Sequence, residues 1–124
     1  MRSFPRERRA PSKAPLLGKW QSDRHRTLEY WSFPKNVSER TRRLLRSKEF
    51  FGHLRFRITA RRFTTIYKGK SWSQMYRIVF HDAHRVIVAF GKGRNSEFRD
   101  LHFDGPDCFY MLAGKANCEF FKRI

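Results

Sequence analysis

The side chains that could do chemistry stand on short runs of alternating residues. Asp100 and His102 are two positions apart, which in an extended strand places a carboxylate and an imidazole on the same face. Such a pair can exchange a proton with a substrate, so it is a candidate acid–base pair. Because these residue types more often form a hydrogen-bonded structural pair, catalysis is the last of three hypotheses for this chain.

Two loops carry residue types that bind metals or phosphates. His81, Asp82 and His84 lie between two strongly apolar runs, where Asp favours a hairpin turn, and no further supporting ligand is recognisable. The loop Gly91-Lys92-Gly93-Arg94-Asn95 is glycine-rich and basic, which suits a phosphate, but no helix follows it as in phosphate-binding loops. We therefore predict no metal site and no cofactor.

The strongest functional signal is the alternation of basic and apolar residues. Arg55 and Arg57 alternate with Phe56 and Ile58, which puts charges on one face of a strand and apolar side chains on the other. A net charge of +17, from 28 Lys+Arg against 11 Asp+Glu, attracts polyanions such as nucleic acid or an acidic protein. The candidate polyanion-binding residues are Arg40, Arg43, Arg55, Arg57, Arg61, Arg62, Lys68 and Lys70, with Tyr67 and Trp72 beside them as rings that can stack on bases.

The scaffold that positions these residues begins after a tail. Residues 1–17 are rich in Pro and Arg, lack a periodic apolar pattern and are predicted to be a disordered basic tail. The folded domain is predicted at residues 18–124. Its first elements are strand-like runs at 19–23 and 27–31, followed by an amphipathic helix at 37–50 with a capping-type Asn36 at its start and Gly52 as its stop.

Seven further alternating runs follow at regular spacing, with turn residues between them: 54–60, 63–68, 72–80, 85–90, 97–103, 108–112 and 118–124. They predict a mainly β fold, an antiparallel up-and-down β-barrel of about eight strands with one amphipathic helix after the first strand or strands. A curved open sheet packed on the helix is the alternative. Cys108 and Cys118 indicate buried free thiols, with a single disulfide left open.

The interior of this barrel is either a packed core or the wall of a ligand cavity. The residues predicted to line it are Phe56, Ile58, Phe63, Tyr76, Ile78, Val88, Phe90 and His102. His102 belongs to this set only if Leu101 and Phe103, on either side of it, face the outside of the barrel.

Gly18-Lys19-Trp20 opens the first strand, and Arg123 stands near the end of the last. This pattern resembles the lipocalin-like (calycin) barrels, which carry a Gly-x-Trp in the first strand and a basic residue from the last strand that packs over the Trp. The resemblance covers residues 18–124. It implies that Gly18, Trp20 and Arg123 are structural and that Arg123 stacks on Trp20 to close one end of the barrel.

Three functions from different classes remain open. The first is a non-enzymatic, lipocalin-like binding protein for a small or lipidic ligand or a partner protein. The second is a nucleic-acid-binding barrel that uses its outer basic face, and the third is an enzyme built on Asp100 and His102. No apolar run is long enough to span a bilayer and the N-terminus lacks the apolar region of a secretory signal, so a cytoplasmic protein is the default expectation.

Overall fold

The computed structural model describes residues 15–114 and 116–124. Eight strands form a closed antiparallel barrel in which each strand pairs with the next along the chain and the last pairs with the first. They are β1 (Gly18–Ser22), β2 (Arg55–Ile58), β3 (Arg62–Tyr67), β4 (Lys70–His81), β5 (Arg85–Phe90), β6 (Glu97–Phe103), β7 (Cys108–Ala113) and β8 (Asn117–Arg123). The predicted fold class is therefore confirmed.

The N-terminal end of the barrel includes part of the predicted tail. Residues 1–14 lie outside the described residues, but Leu16 is fully buried in the core. The indole nitrogen Nε1 of Trp20 donates a 2.9 Å hydrogen bond to the Leu16 carbonyl oxygen. Because burying a leucine side chain stabilises the folded state by about 1.5–3 kcal/mol, Leu16 belongs to the folded domain, two residues ahead of the predicted boundary.

A short helix, α1 (Arg24–Glu29), replaces the strand predicted at residues 27–31. Its N-cap is Asp23, whose side chain accepts a 3.1 Å hydrogen bond from the Arg26 amide. Thr27 is buried, and its hydroxyl accepts a 2.9 Å hydrogen bond from the Phe120 amide. The prediction was wrong because this contact with the far end of the chain, combined with the cap, outweighs the strand preference of the local residues.

The second helix, α2 (Glu39–Arg46), is shorter than the predicted helix at 37–50. Its N-cap is Ser38 and not Asn36, since the Ser38 hydroxyl accepts the hydrogen bond from the Thr41 amide. Both helices lie between β1 and β2. Neither of the helices described is long and apolar enough to cross a membrane.

Apolar side chains fill the barrel interior. The Phe109 ring lies 4.7 Å from the Trp20 ring and 5.1 Å from the Phe121 ring, and the Phe56 and Phe121 rings are 4.8 Å apart. The core cluster consists of Leu16, Trp20, Phe56, Ile58, Phe63, Tyr76, Val86, Val88, Phe90, Leu101, Phe109 and Phe121, with Ile78 packed against it. The apolar residues predicted to line the interior thus all pack in or against this core.

His102 does not line the interior, and this prediction was wrong. Leu101 is fully buried and Phe103 packs against the core, so His102 between them faces outward. The register of β6 on β5 agrees, because Leu101 lies opposite the buried Val86 whereas His102 lies opposite Arg85. Burial of two large apolar side chains decides which face of β6 is inside.

The Arg123–Trp20 contact that the lipocalin-like resemblance implies is present at one end of the barrel. The Arg123 guanidinium carbon Cζ lies 4.2 Å from the centroid of the Trp20 ring. Gly18 is beside it with a φ of +132°, and a Cβ atom at Gly18 would lie only 2.7 Å from Arg123 Nη1. The backbone angle therefore favours glycine here, whereas the guanidinium, as the end of a flexible side chain, could shift to make room for a Cβ atom.

Candidate nucleic-acid interface

Strands β1 to β4 contain no Asp or Glu. Residues 50–81 carry seven Lys or Arg and no acidic residue at all. On β2, Arg55 and Arg57 are exposed whereas Phe56 and Ile58 are buried. The outward orientation that the alternation predicted for these arginines is therefore confirmed, and the same strand supplies both core and charge.

The strand register gathers five cations on one outer surface. Lys19 of β1 lies directly opposite Arg57 of β2, and Gln21 lies between Arg55 on one side and Lys122 on the other. Arg62 extends this surface on β3. We call Lys19, Arg55, Arg57, Arg62 and Lys122 the basic face. Within the described part of the chain, no member of the basic face forms an ion pair with a carboxylate.

The basic face retains an arrangement that costs stability. Like charges directly opposite each other on neighbouring strands are destabilising, and Lys19 and Arg57 are such a pair. An Asp or Glu at either position would relieve the repulsion. Because four consecutive strands contain no Asp or Glu, the surface is strongly cationic and attracts anionic molecules.

Two exposed rings lie at the turn that joins β3 to β4. Tyr67 is 38% exposed and Trp72 is 49% exposed. The Lys68 ammonium nitrogen lies 5.5 Å from the centroid of the Tyr67 ring. No aromatic ring or cation of the described residues stacks on the Trp72 indole. Trp72 lies opposite Thr65, which shares its face of β3 with the buried Phe63 and with Tyr67. The two rings therefore stand on the inner face of the sheet, at the rim of the barrel, and not on the basic face. A large flat side chain with a free face can hold an unpaired base at this rim.

The remaining predicted cations are placed separately. Arg61 precedes β3 and Lys70 begins β4, and both are exposed. Arg40 and Arg43 lie on α2, which has no buried residue; Arg43 is 4.0 Å from Glu39 in a weak exposed pair. The structure thus brings Arg55, Arg57 and Arg62 onto one surface. Lys70 lies opposite Tyr67, on the other face of the sheet from Arg55 and Ile66, and the two helical arginines stand on the β1–β2 connection.

Asp100 and His102 do lie together, but on the outer surface. The His102 Nε2 is 3.3 Å from Asp100 Oδ1, and the imidazole stacks on the Tyr110 ring at 4.9 Å. Arg85 donates two hydrogen bonds to the Asp100 carboxylate, from Nε at 2.8 Å and from Nη2 at 2.6 Å. This guanidinium holds the pKa of Asp100 below its usual range, which makes the carboxylate a poor general base at neutral pH.

The two predicted loop motifs are ordinary turns. The Asp82 side chain accepts a 2.9 Å hydrogen bond from the His84 amide in the β4–β5 turn, as expected for Asp in a bend. Across residues 15–114 and 116–124, no group of three or more His, Cys, Asp or Glu could hold a metal ion. Residues Gly93–Asn95 form a single 3-10 turn between β5 and β6.

The cysteines are free and lie on adjacent strands at different levels. Cys108 is opposite Lys122, and Cys118 is opposite Leu112. The register therefore keeps the two thiols too far apart for a disulfide, and both cysteines are free. Burial raises the pKa of the Cys108 thiol, against the opposing effect of the nearby Arg26 guanidinium.

Sequence reasoning missed two charged residues that face the barrel interior. Glu119 is mostly buried and accepts a 2.6 Å hydrogen bond from the Ser22 hydroxyl; burial raises the pKa of its carboxyl group, and the Ser22 hydrogen bond opposes that shift. Arg99 lies opposite the buried Val88, and its guanidinium is 5.2 Å from the Phe90 ring. Arg99 could have been found, because it shares its face of β6 with Leu101.

Known proteins do not supply a family for this chain. No family model, curated protein or solved structure matches it.

Proposed function

We propose that this chain is a non-enzymatic, lipocalin-like binding protein that binds single-stranded nucleic acid on its outer basic face. The observation that carries the proposal is the row of cations across β8, β1, β2 and β3 for which the described residues provide no carboxylate. Phosphates of a nucleic-acid backbone neutralise such cations and release the counterions condensed on the strand, which supplies free energy without base recognition.

The exposed rings favour a single strand over a duplex. Tyr67 and Trp72 stand at the rim of the barrel by the β3–β4 turn, on the opposite face of the sheet from Arg55, so a strand that crosses the rim beside Lys68 reaches them. Bases of a single strand are free to stack on such rings, and each stacked base contributes about 1–3 kcal/mol. Bases in a duplex are already stacked, so a duplex would gain only the phosphate contacts.

The experiment is a fluorescence anisotropy titration of labelled oligothymidine with the full chain at several salt concentrations. If about four phosphates are neutralised, the slope of log affinity against log salt is about −2.8, and affinity falls about 50-fold between about 50 and 200 mM salt. Changing Arg55 and Arg57 together to Gln should lower the slope by about 1.4 and weaken binding at low salt.

The matched control changes Lys92 and Arg94 to Gln, which removes the same net charge from the β5–β6 loop. It should leave the slope close to that of the parent. If both double variants lose the same affinity and the same salt dependence, net charge alone attracts the strand and the basic face is not a specific binding site. Absence of binding at about 50 mM salt would overturn the proposal outright, since phosphate contacts are strongest there.

A second candidate function is the binding of a small or lipidic anion at the gap between β6 and β7. It is favoured by Arg99, an inward-facing cation for which the described residues provide no ion pair. Strands β6 and β7 pair at only two positions, and the gap beside them is an opening of about 340 Å³. It is lined by Arg99 and Met111 and, on the outer side, by Phe98, Leu112 and Asp100, whose carboxylate is paired with Arg85. Native mass spectrometry of the purified chain should then show a co-purified molecule that is lost in Arg99→Met. If the parent and the variant both show only the mass of the polypeptide, this second candidate is wrong.

A further inference from the structure

A concave hollow lies on the outer side of β1, β2 and β3, at the end of the barrel that holds the β3–β4 turn. Its volume is about 360 Å³, large enough for a phosphate and the sugar attached to it. Gln21, His53, Arg55, Ile66 and Lys68 line it together with Gly52 and Gly69. Three of these side chains carry or can accept a positive charge, and no Asp or Glu is among them.

The floor of the hollow is a row of three residues on adjacent strands. Arg55 lies directly opposite Gln21 on β1 and opposite Ile66 on β3. The Gln21 amide nitrogen donates a 2.9 Å hydrogen bond to the Gly52 carbonyl oxygen, which fixes the wall beside Arg55. The floor of the hollow therefore belongs to the sheet, and the residues around it come from the segment before β2 and from the β3–β4 turn.

The other wall is formed by His53 and Lys68. His53 Nε2 donates to the Lys48 carbonyl oxygen at 2.8 Å, which holds the imidazole in place. Lys68 Nζ donates to the Glu49 carbonyl oxygen at 3.3 Å. That contact uses one of three ammonium protons, so the other two are free to bind an anion.

Lys68 occupies an unusual backbone conformation. It is the one non-glycine residue of the described chain with a positive φ, +46°, and it shares the two-residue β3–β4 turn with Gly69 at +83°. Such turns prefer Asn or Gly at this position, and a side chain like Lys costs about 1 kcal/mol there. The turn thus places a strained cation at the edge of the hollow, and such strain is common at binding sites.

We infer that this hollow is a phosphate-binding subsite in which Arg55 and Lys68 clamp one phosphate group. The inference rests on the proposed function, because a backbone phosphate of the bound strand is the expected occupant. Free phosphate or the phosphate of a nucleotide has the same chemistry, and the two sources are separated by the measurements below.

The experiment follows backbone amide resonances of the full chain by NMR during titration with inorganic phosphate and, separately, with oligothymidine. The expected result is saturable shifts at Gly52, His53 and Gly69 with both ligands. Lys68→Asn should weaken both affinities about tenfold, since it removes a charge-assisted contact. The same change should leave the melting temperature equal or higher, because Asn suits this turn better than Lys. The matched control, Lys92→Asn, removes an identical charge from the β5–β6 loop.

The outcomes separate the subsite from the function. If oligothymidine binds but Lys68→Asn weakens it no more than Lys92→Asn, the subsite is wrong and the proposed function stands. If inorganic phosphate shifts the hollow and oligothymidine does not bind, the subsite stands as a free-phosphate site and the proposed function falls. Shifts that are spread evenly over all basic residues with inorganic phosphate overturn the subsite.

Discussion

Replacing Arg123 by Met should destabilise the end of the barrel at which β1 begins. The side chain stacks on Trp20 and donates hydrogen bonds to three carbonyl oxygens: Leu17 at 2.8 Å, Pro106 at 3.0 Å and Pro15 at 3.2 Å. It also pairs with Asp107 at 3.0 Å. One guanidinium thus joins the segment before β1 to the β6–β7 turn over the core. Methionine keeps much of the apolar stem over the indole but provides no donor and no charge.

The expected loss can be worked from these contacts. The cation–π contact contributes about 0.5–1 kcal/mol, because the Arg123 side chain is still partly exposed. Three hydrogen bonds from a charged donor add about 0.5–1 kcal/mol each once solvent exposure is allowed for. The pair with Asp107, whose side chain is 74% exposed, adds at most about 0.5 kcal/mol. The sum is about 3 kcal/mol, or a melting temperature lower by about 12 °C.

Urea unfolding followed by tryptophan fluorescence measures this loss, since Trp20 lies directly under the guanidinium. Arg123→Lys, which keeps the charge but cannot reach all three carbonyl oxygens at once, should lose about half as much. Asp107→Asn removes only the exposed pair and should cost about 0.5 kcal/mol or less. The reasoning is refuted if Arg123→Met costs no more than Asp107→Asn, or if Arg123→Lys is as stable as the parent.

Three further predictions concern the core, the buried carboxylate and the basic face. Phe109→Ala should lower the free energy of unfolding by about 3–5 kcal/mol in urea, whereas Phe98→Ala, at a ring that is 62% exposed, should change it by about 0.5 kcal/mol or less. The pKa of Glu119 is higher in the folded than in the unfolded state, so its contribution to stability is lost as the pH rises through the folded pKa. Glu119→Gln should therefore stabilise the protein at about pH 8 and progressively less towards about pH 4; a gain independent of pH contradicts this. Arg57→Thr should raise stability by a few tenths of a kcal/mol by removing the repulsion from Lys19, and a double-mutant cycle with Lys19→Thr should show that coupling.

The strands could be predicted from the sequence because each is bounded by turn residues. The runs predicted at 85–90 and 97–103 coincide with β5 and β6. The helix α1 could not be predicted, because it is only six residues long and depends on the contact of Thr27 with Phe120 near the other end of the chain. Alternation reports local structure, and this contact is not local.

The inward face of a strand was harder to predict than its existence. On β6, Phe98 is on one face of the strand and Leu101 and Phe103 are on the other, so both faces carry apolar side chains. Alternation alone cannot choose between them; the barrel buries Leu101 and leaves Phe98 exposed. The candidate site was predictable on β2 for the opposite reason, because Arg55 and Arg57 never share a face with an apolar residue of that strand.

The two faces of β2 make stability and binding separable. Phe56 supplies core contacts from the inner face, and Arg57 on the outer face contributes nothing to the core and repels Lys19. If Arg57 is merely solvated, Arg57→Thr raises stability by a few tenths of a kcal/mol through the lost repulsion from Lys19 and leaves polyanion binding unchanged. If Arg57 binds a polyanion, the same change also weakens binding and lowers its salt dependence, whereas Phe56→Leu lowers stability and leaves the salt dependence of binding intact. A loss of binding without a loss of stability cannot arise from a general effect on folding, so the binding measurement on this pair decides whether the charge has a function.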